Sequence, residues 1–154
     1  MFLNNYHYFK NKETQTLILL ILFSALIRIP IIFLFGDSVL ENEWRIIVNN
    51  LIEHGKFSFR NFGEFFLPNL YMPPLYAYYL YSFSFFGLDN PNYILFILFS
   101  QLLISSVSVA VFYKINKIFF SQKISFYSSL LLSFFPLYLY SCSQISSVSL
   151  QTFL

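Results

Sequence analysis

The sequence predicts an all-α fold, a polytopic transmembrane helical bundle with one amphipathic juxtamembrane helix in its first loop. The 154 residues are 57% hydrophobic and 23% aromatic but only 10% charged, against roughly 25% charged residues in soluble domains. The charges are also clustered, so that residues 14–27, 65–88, 90–113 and 124–154 carry none. Most of these runs reach the ~20 residues that a helix needs to cross a hydrocarbon core. Between the first two, residues 36–76 hold five of the seven acidic residues, the only tryptophan and one of two histidines. Polar chemistry is therefore gathered in one loop.

Residues 1–16 form a polar lead whose Tyr6, Tyr8 and Phe9 suit a membrane interface. Lys10 and Lys12 precede the first apolar run, but no small-x-small cleavage site follows, so an uncleaved span over residues 16–35 is expected rather than a signal peptide. Arg28 lies within it, beside Pro30. An arginine at that depth either snorkels to the nearer interface or pairs with a loop carboxylate or a ligand phosphate.

In the loop, residues 36–73, Ser38 followed by Glu41 fits a capping box. A helix over 39–54 follows, with Trp44, Ile47, Val48, Leu51 and Ile52 on one stripe opposite Asn49, Asn50 and Glu53. Gly55 supplies its stop. Such a helix is expected to lie on the membrane surface with its stripe facing lipid. Pro73 and Pro74 then open a second span over 74–87, since proline is tolerated in a first helical turn. Its tyrosines (Tyr76, Tyr78, Tyr79, Tyr81) favour packing on protein, and Gly87, Asp89, Asn90 and Pro91 mark a turn. The third span covers 93–113, with Ser100, Gln101, Ser105, Ser106 and Ser108 as small or polar packing positions. Lys114, Lys117 and Lys123 form a basic connection, and a fourth span over 124–140 should bend or end near Phe135 because of Pro136. Residues 141–154 are a Ser-rich, charge-free partial segment.

A net charge of +2 argues neither for nucleic acid nor for a strongly acidic partner, and Cys142 alone excludes an internal disulfide or a cysteine metal cluster. No glycine-rich phosphate loop, metal-ligand spacing or internal repeat is present, so no cofactor and no metal is expected. Asp37, Glu41 and Glu43 instead cluster at the entrance of the loop helix, within a turn of the end of the first span. Carboxylates at a low-dielectric rim, close to one another, are suited to act as a general base. Glu41 has the competing role of the cap.

One family carries this order of features. An apolar helix with acidic residues just outside it, Glu43-Trp44 heading an amphipathic helix, Gly55 with Phe57-Ser58, and Met72-Pro73-Pro74-Leu75-Tyr76 opening the next span together resemble the N-terminal part of GT-C glycosyltransferases. The likeness is to the branch of the protein O-mannosyltransferases and the bacterial aminoarabinose transferase, and it continues through Phe86-Gly87, Phe135-Pro136 and Tyr140-Ser141 to residue 154. The resemblance implies inverting transfer of a sugar from a polyprenyl-phosphate donor to an extracytoplasmic acceptor hydroxyl on a glycan, lipid or protein. Asp37 and Glu41 rank nearly level as its base, with Glu43 behind them. Arg28, Trp44, Tyr71, Pro73, Pro74 and Tyr76 are the expected substrate-binding residues. Met72 stands where some members carry a lysine, and Ser and Val occupy 146–149 where many show an acidic residue.

The resemblance further implies a multi-pass protein of the bacterial inner membrane, with membrane lipid as a partner, no nucleic acid, a cytoplasmic N-terminus, and both the first loop and the 114–123 turn outside. It makes the chain the N-terminal part of a longer enzyme, inactive by itself. The alternative is a non-enzymatic polytopic protein, either an accessory subunit or part of a lipid-linked-sugar transporter.

Overall fold

The computed structural model describes residues 2–40, 42–62, 65–68 and 71–154. The chain is mostly helical. Helix α1 (Phe2–Phe35) runs without interruption through Pro30. Next come α2 (Asn42–His54), the strands β1 (Ser58–Phe62) and β2 (Phe65–Pro68), α3 (Pro74–Tyr81), and a single 3-10 turn at Ser84–Phe86. Helices α4 (Pro91–Phe119), α5 (Gln122–Ser133), α6 (Pro136–Ser141) and α7 (Val148–Phe153) complete the chain.

Two stretches, Lys12–Phe35 and Pro91–Phe119, are long and apolar enough to cross a membrane. They pack side by side and antiparallel. Phe33 meets Phe99 at 6.4 Å between ring centroids, Arg28 reaches Ser105 and Glu13 reaches Lys117, so positions ascending one helix descend the other. The outer faces stay apolar and exposed, with Leu22, Leu26, Phe33 and Leu34 on α1 and Leu103, Ile118 and Phe119 on α4.

The other two expected spans take a different form. Over residues 74–87 the helix ends after eight residues, at Tyr81, where Ser82 turns its hydroxyl back onto the Tyr79 carbonyl at 2.7 Å. Eight residues rise ~12 Å, well short of a hydrocarbon core. Gly87, at φ 82, then reverses the chain into α4. Over 124–140 the helix breaks between Ser133 and Pro136, as the proline predicts: its ring and missing N–H prevent continuation.

The position of the 114–123 lysines is a correction to the expectation from the resemblance. Because α3 ends after eight residues, α4 runs directly back alongside α1, and Lys117 Nζ sits 2.9 Å from Glu13 Oε1. The lysine turn thus shares the N-terminal end of α1, at the opposite end of the pair from the 36–73 loop.

The α2 stripe departs from expectation as well. Ile47 and Leu51 are buried against protein, with Ala77 of α3 and with Phe57, Phe59 and Met72 around them; Val48 is buried in the main core, and Ile52 of the same stripe stays exposed. A hairpin absent from the all-α expectation supplies part of this cover. It pairs β1 and β2 antiparallel, Arg60 opposite Leu67 and Phe62 opposite Phe65, with a register shift between Ser58 and Arg60. Asn50, expected on the polar face of α2, is buried and donates to the Ser58 carbonyl at 2.8 Å. Helix α2 ends as predicted at Gly55, whose φ of 64 is cheap only for glycine. The main core lies at this end, where Ile32, Leu40, Val48, Tyr76, Leu80, Tyr93 and Ile145 meet.

In α5 the inward face is a column of serines. Ser125, Ser129 and Ser133 recur every fourth residue, are fully buried, and each returns its hydroxyl to the carbonyl four residues earlier at 2.8–3.0 Å. Side chains this small let helix backbones approach closely while leaving no hydroxyl unpaired.

Candidate functional site

The loop leaves α1 at Gly36, where a Cβ would overlap the Ile32 carbonyl oxygen and lie 3.2 Å from Leu98 Cδ1. A residue without a side chain is therefore needed for the chain to turn this close to α4. Asp37 follows and is fixed at once. Its backbone N–H donates to the Ser143 carbonyl at 3.1 Å, and its Oδ2 accepts from the Ile145 N–H at 2.6 Å. Gln144 Nε2 donates to the Phe35 carbonyl at 2.8 Å. Three hydrogen bonds thus tie the exit of α1 to residues 143–145, more than 100 positions away in sequence.

Asp37 opens onto a cavity of about 820 Å³ whose wall also includes Ser38, Glu43, Trp44, Phe59 and Met72. Two of the three candidate bases, Asp37 and Glu43, therefore share one hollow beyond the end of α1. Glu41, and with it the proposed capping box, lies outside the described residues. Among the described residues no group of three or more His, Cys, Asp or Glu side chains converges to hold a metal.

The expected substrate-binding residues divide. Trp44 lines the cavity, and its ring meets Tyr76 edge-on at 4.8 Å. Tyr76 itself is 1% exposed and accepts a hydrogen bond from Gln101 Nε2 at 2.6 Å while stacking on Tyr79 at 5.5 Å. It therefore forms the floor behind Trp44. Pro73 caps α3 and Pro74 is its first residue; Met72 rather than either proline reaches the cavity wall. Tyr71 is 87% exposed and is not among the lining residues.

Arg28 does not snorkel, and among the described residues it pairs with no carboxylate. It is completely buried and donates from Nε to Ser105 Oγ at 3.0 Å, from Nη1 to the Ser24 carbonyl at 2.9 Å, and to the Ser24 hydroxyl. Its guanidinium also lies 5.2 Å from the centre of the Tyr138 ring, while Nη2 has no hydrogen-bond partner among the described residues. Serines on facing helices plus an aromatic face are a short-range substitute for water around a cation. The small residues flanking Arg28 on α1 and α4 were the available signal for this pocket, which only the helix pairing could complete.

Residues outside the expected set also belong to the site. Ile145 supplies the N–H that orients Asp37, and Gln101 positions Tyr76. Gln101 is marked in the sequence only as a polar packing position of the third span, and Ile145 acts through a backbone N–H, so neither role is local to its own element. The chain matches no protein-family model, no curated protein and no solved structure.

Proposed function

We propose that the chain is an integral membrane protein whose carboxylate-lined cavity accepts a polyprenyl-phosphate-linked sugar for inverting transfer, in the manner of the GT-C glycosyltransferases it resembles. The observation that carries this reading is the convergence of Asp37 and Glu43, with Trp44, on one cavity of about 820 Å³ at the end of a helix able to cross a bilayer. The lipid phosphate is already a leaving group, so the protein must orient an acceptor hydroxyl and remove its proton. As the acceptor oxygen bonds to the anomeric carbon, the bond to phosphate breaks on the opposite face and the hydroxyl proton passes to a carboxylate. Asp37 suits that role because the Ile145 N–H holds Oδ2 and leaves Oδ1 for the proton.

The same reading orients the protein. Lys12, Lys114, Lys117 and Lys123, with Lys10 preceding them on α1, belong to one end of the antiparallel pair, whereas Arg45, Lys56 and Arg60 belong to the loop. Positive charge favours the cytoplasmic side, which supports a cytoplasmic N-terminus with the cavity on the outer side. The exposed apolar faces of α1 and α4 are then solvated by lipid, where in water they would drive association.

One observation favours a second reading, a non-enzymatic membrane subunit: among the described residues no lysine or arginine lines the cavity, and Arg28 is enclosed elsewhere. In that case Asp37 is a clamp for residues 143–145 and nothing more. A photoactivatable polyprenyl-phosphate mannose presented to the full chain in vesicles separates the two. Labelling at Asp37, Glu43 or Trp44, undiminished in Asp37→Asn, is the expected result; labelling spread over the lipid-facing surface would overturn the donor-site reading.

A further inference from the structure

Along the middle of α1, away from the loop, lies a second hollow with different chemistry. Between α1 and α5 a slot of about 410 Å³ is walled only by apolar residues, among them Leu19, Leu22, Leu26, Phe126 and Leu130. Leu19, Leu22 and Leu26 are also more than half exposed, so the slot opens sideways onto the surface that faces lipid. It adjoins a cavity of about 530 Å³ that shares Leu19 and Phe126 and adds Thr16, Tyr113, Gln122 and Lys123.

Tyr113 sets this place apart from an ordinary surface groove. The residue is completely buried, lines the polar cavity, and its hydroxyl has no hydrogen-bond partner among the described residues. A buried O–H left unpaired is costly, and the same cavity is also lined by a lysine, Lys123. Lys117 Nζ is 5.8 Å from the centre of the Tyr113 ring while bonded to Glu13; Lys123 forms no ion pair among the described residues.

We infer that the lysine end of the protein holds one anionic phospholipid of the cytoplasmic leaflet, its phosphate accepting from Tyr113, Gln122 and Lys123 and an acyl chain lying in the α1–α5 slot. The inference rests on the membrane reading above. Uncompensated positive charge and an orphaned donor at the mouth of a wholly apolar slot match a headgroup joined to a hydrocarbon tail. Free phosphate would leave the slot unused, and a zwitterionic headgroup would bring a second cation to Lys123.

The test uses the purified full chain in micelles containing equal amounts of phosphatidylglycerol and phosphatidylcholine, with native mass spectrometry to count retained lipid. Preferential retention of a single phosphatidylglycerol is expected. Lys123→Gln should lower it about fivefold, the worth of one basic residue near an anionic surface, and Tyr113→Phe should lower it while conserving the ring. Leu26→Trp, which fills the slot, should release the lipid without touching the cations. Equal retention of both lipids, retention unchanged in Lys123→Gln and Tyr113→Phe, or complete displacement by inorganic phosphate would each overturn the inference. Alkaline extraction of vesicles separates this failure from that of the membrane reading: a chain that stays in the pellet without lipid preference defeats the lipid site alone, whereas one released to the supernatant defeats both.

Discussion

Where α1 ends at Phe35, the chain closes tightly upon itself. Asp37, Gln144 and Ile145 are mutually tied by hydrogen bonds to the helix exit, and Trp44, Tyr76 and Tyr79 form an aromatic stack behind the acidic cavity. Where the same helix passes Lys12, packing is looser: Leu19, Ile118, Phe119 and Tyr127 are exposed, and three adjoining hollows separate α1, α4 and α5. The difference teaches where each kind of ligand can be read. A rigid, polar, cross-linked pocket suits orientation of a reacting group, whereas a groove walled by apolar side chains suits a flexible chain that needs little orientation.

Unfolding measurements across the two ends test that contrast. Tyr76→Ala should have the largest effect, about 3–5 kcal/mol in denaturant unfolding of the detergent-solubilised protein, because it removes a fully packed ring together with the partner of Gln101. A loss no greater than that of a surface substitution would mean that the loop end is not cross-linked as described. Asp37→Ala should cost about 1–3 kcal/mol, the penalty for leaving the Ile145 N–H unsatisfied. Asp37→Asn should recover most of this, since its amide oxygen accepts the same bond. Hydrogen exchange at Ile145 reports the bond directly, and equal exchange in both variants would remove Asp37 as the clamp.

The smallest effect belongs to the lysine end. Lys117→Gln should cost less than about 1 kcal/mol, as for partly exposed ion pairs generally, since the Lys117 and Glu13 side chains are 29% and 41% exposed. A double-mutant cycle with Glu13→Gln at low and high salt measures it. A coupling larger than the Asp37 effect, and insensitive to salt, would reverse the ranking of the two ends.

Much of the helical content was legible residue by residue. The runs of charge-free sequence mark α1 and α4, Gly55 marks the end of α2, and Pro136 marks the break after α5. The hairpin was harder to see. Phe57 and Phe59 alternate with Ser58 and Arg60, but an alternation this short is weak against a loop reading, and its stability depends on Asn50 of α2 bonding to Ser58. For the site, the clustering of Asp37 and Glu43 in sequence carried over into a shared cavity. The polar partners of Asp37 did not show themselves, because an Ile backbone N–H has no side-chain signature.

Arg28 and the loop carboxylates define what each level decided. The dominance of apolar helices, the gathering of acidic residues in the loop and the lysines flanking the long helices are legible in the chain alone, because composition and periodicity are local properties. The packing of the elements on one another decided that α3 stops short, that the 114–123 lysines return to the start of α1, and that Ile47, Val48 and Leu51 of the α2 stripe face protein while Ile52 stays exposed. It also decided that Arg28 is enclosed by Ser24, Ser105 and Tyr138. In each case the outcome depends on what occupies the opposite face. An apolar stripe is satisfied equally by lipid or by Ala77 and Phe59, and a buried cation by a carboxylate or by serines and a ring, so the choice lies in which elements meet.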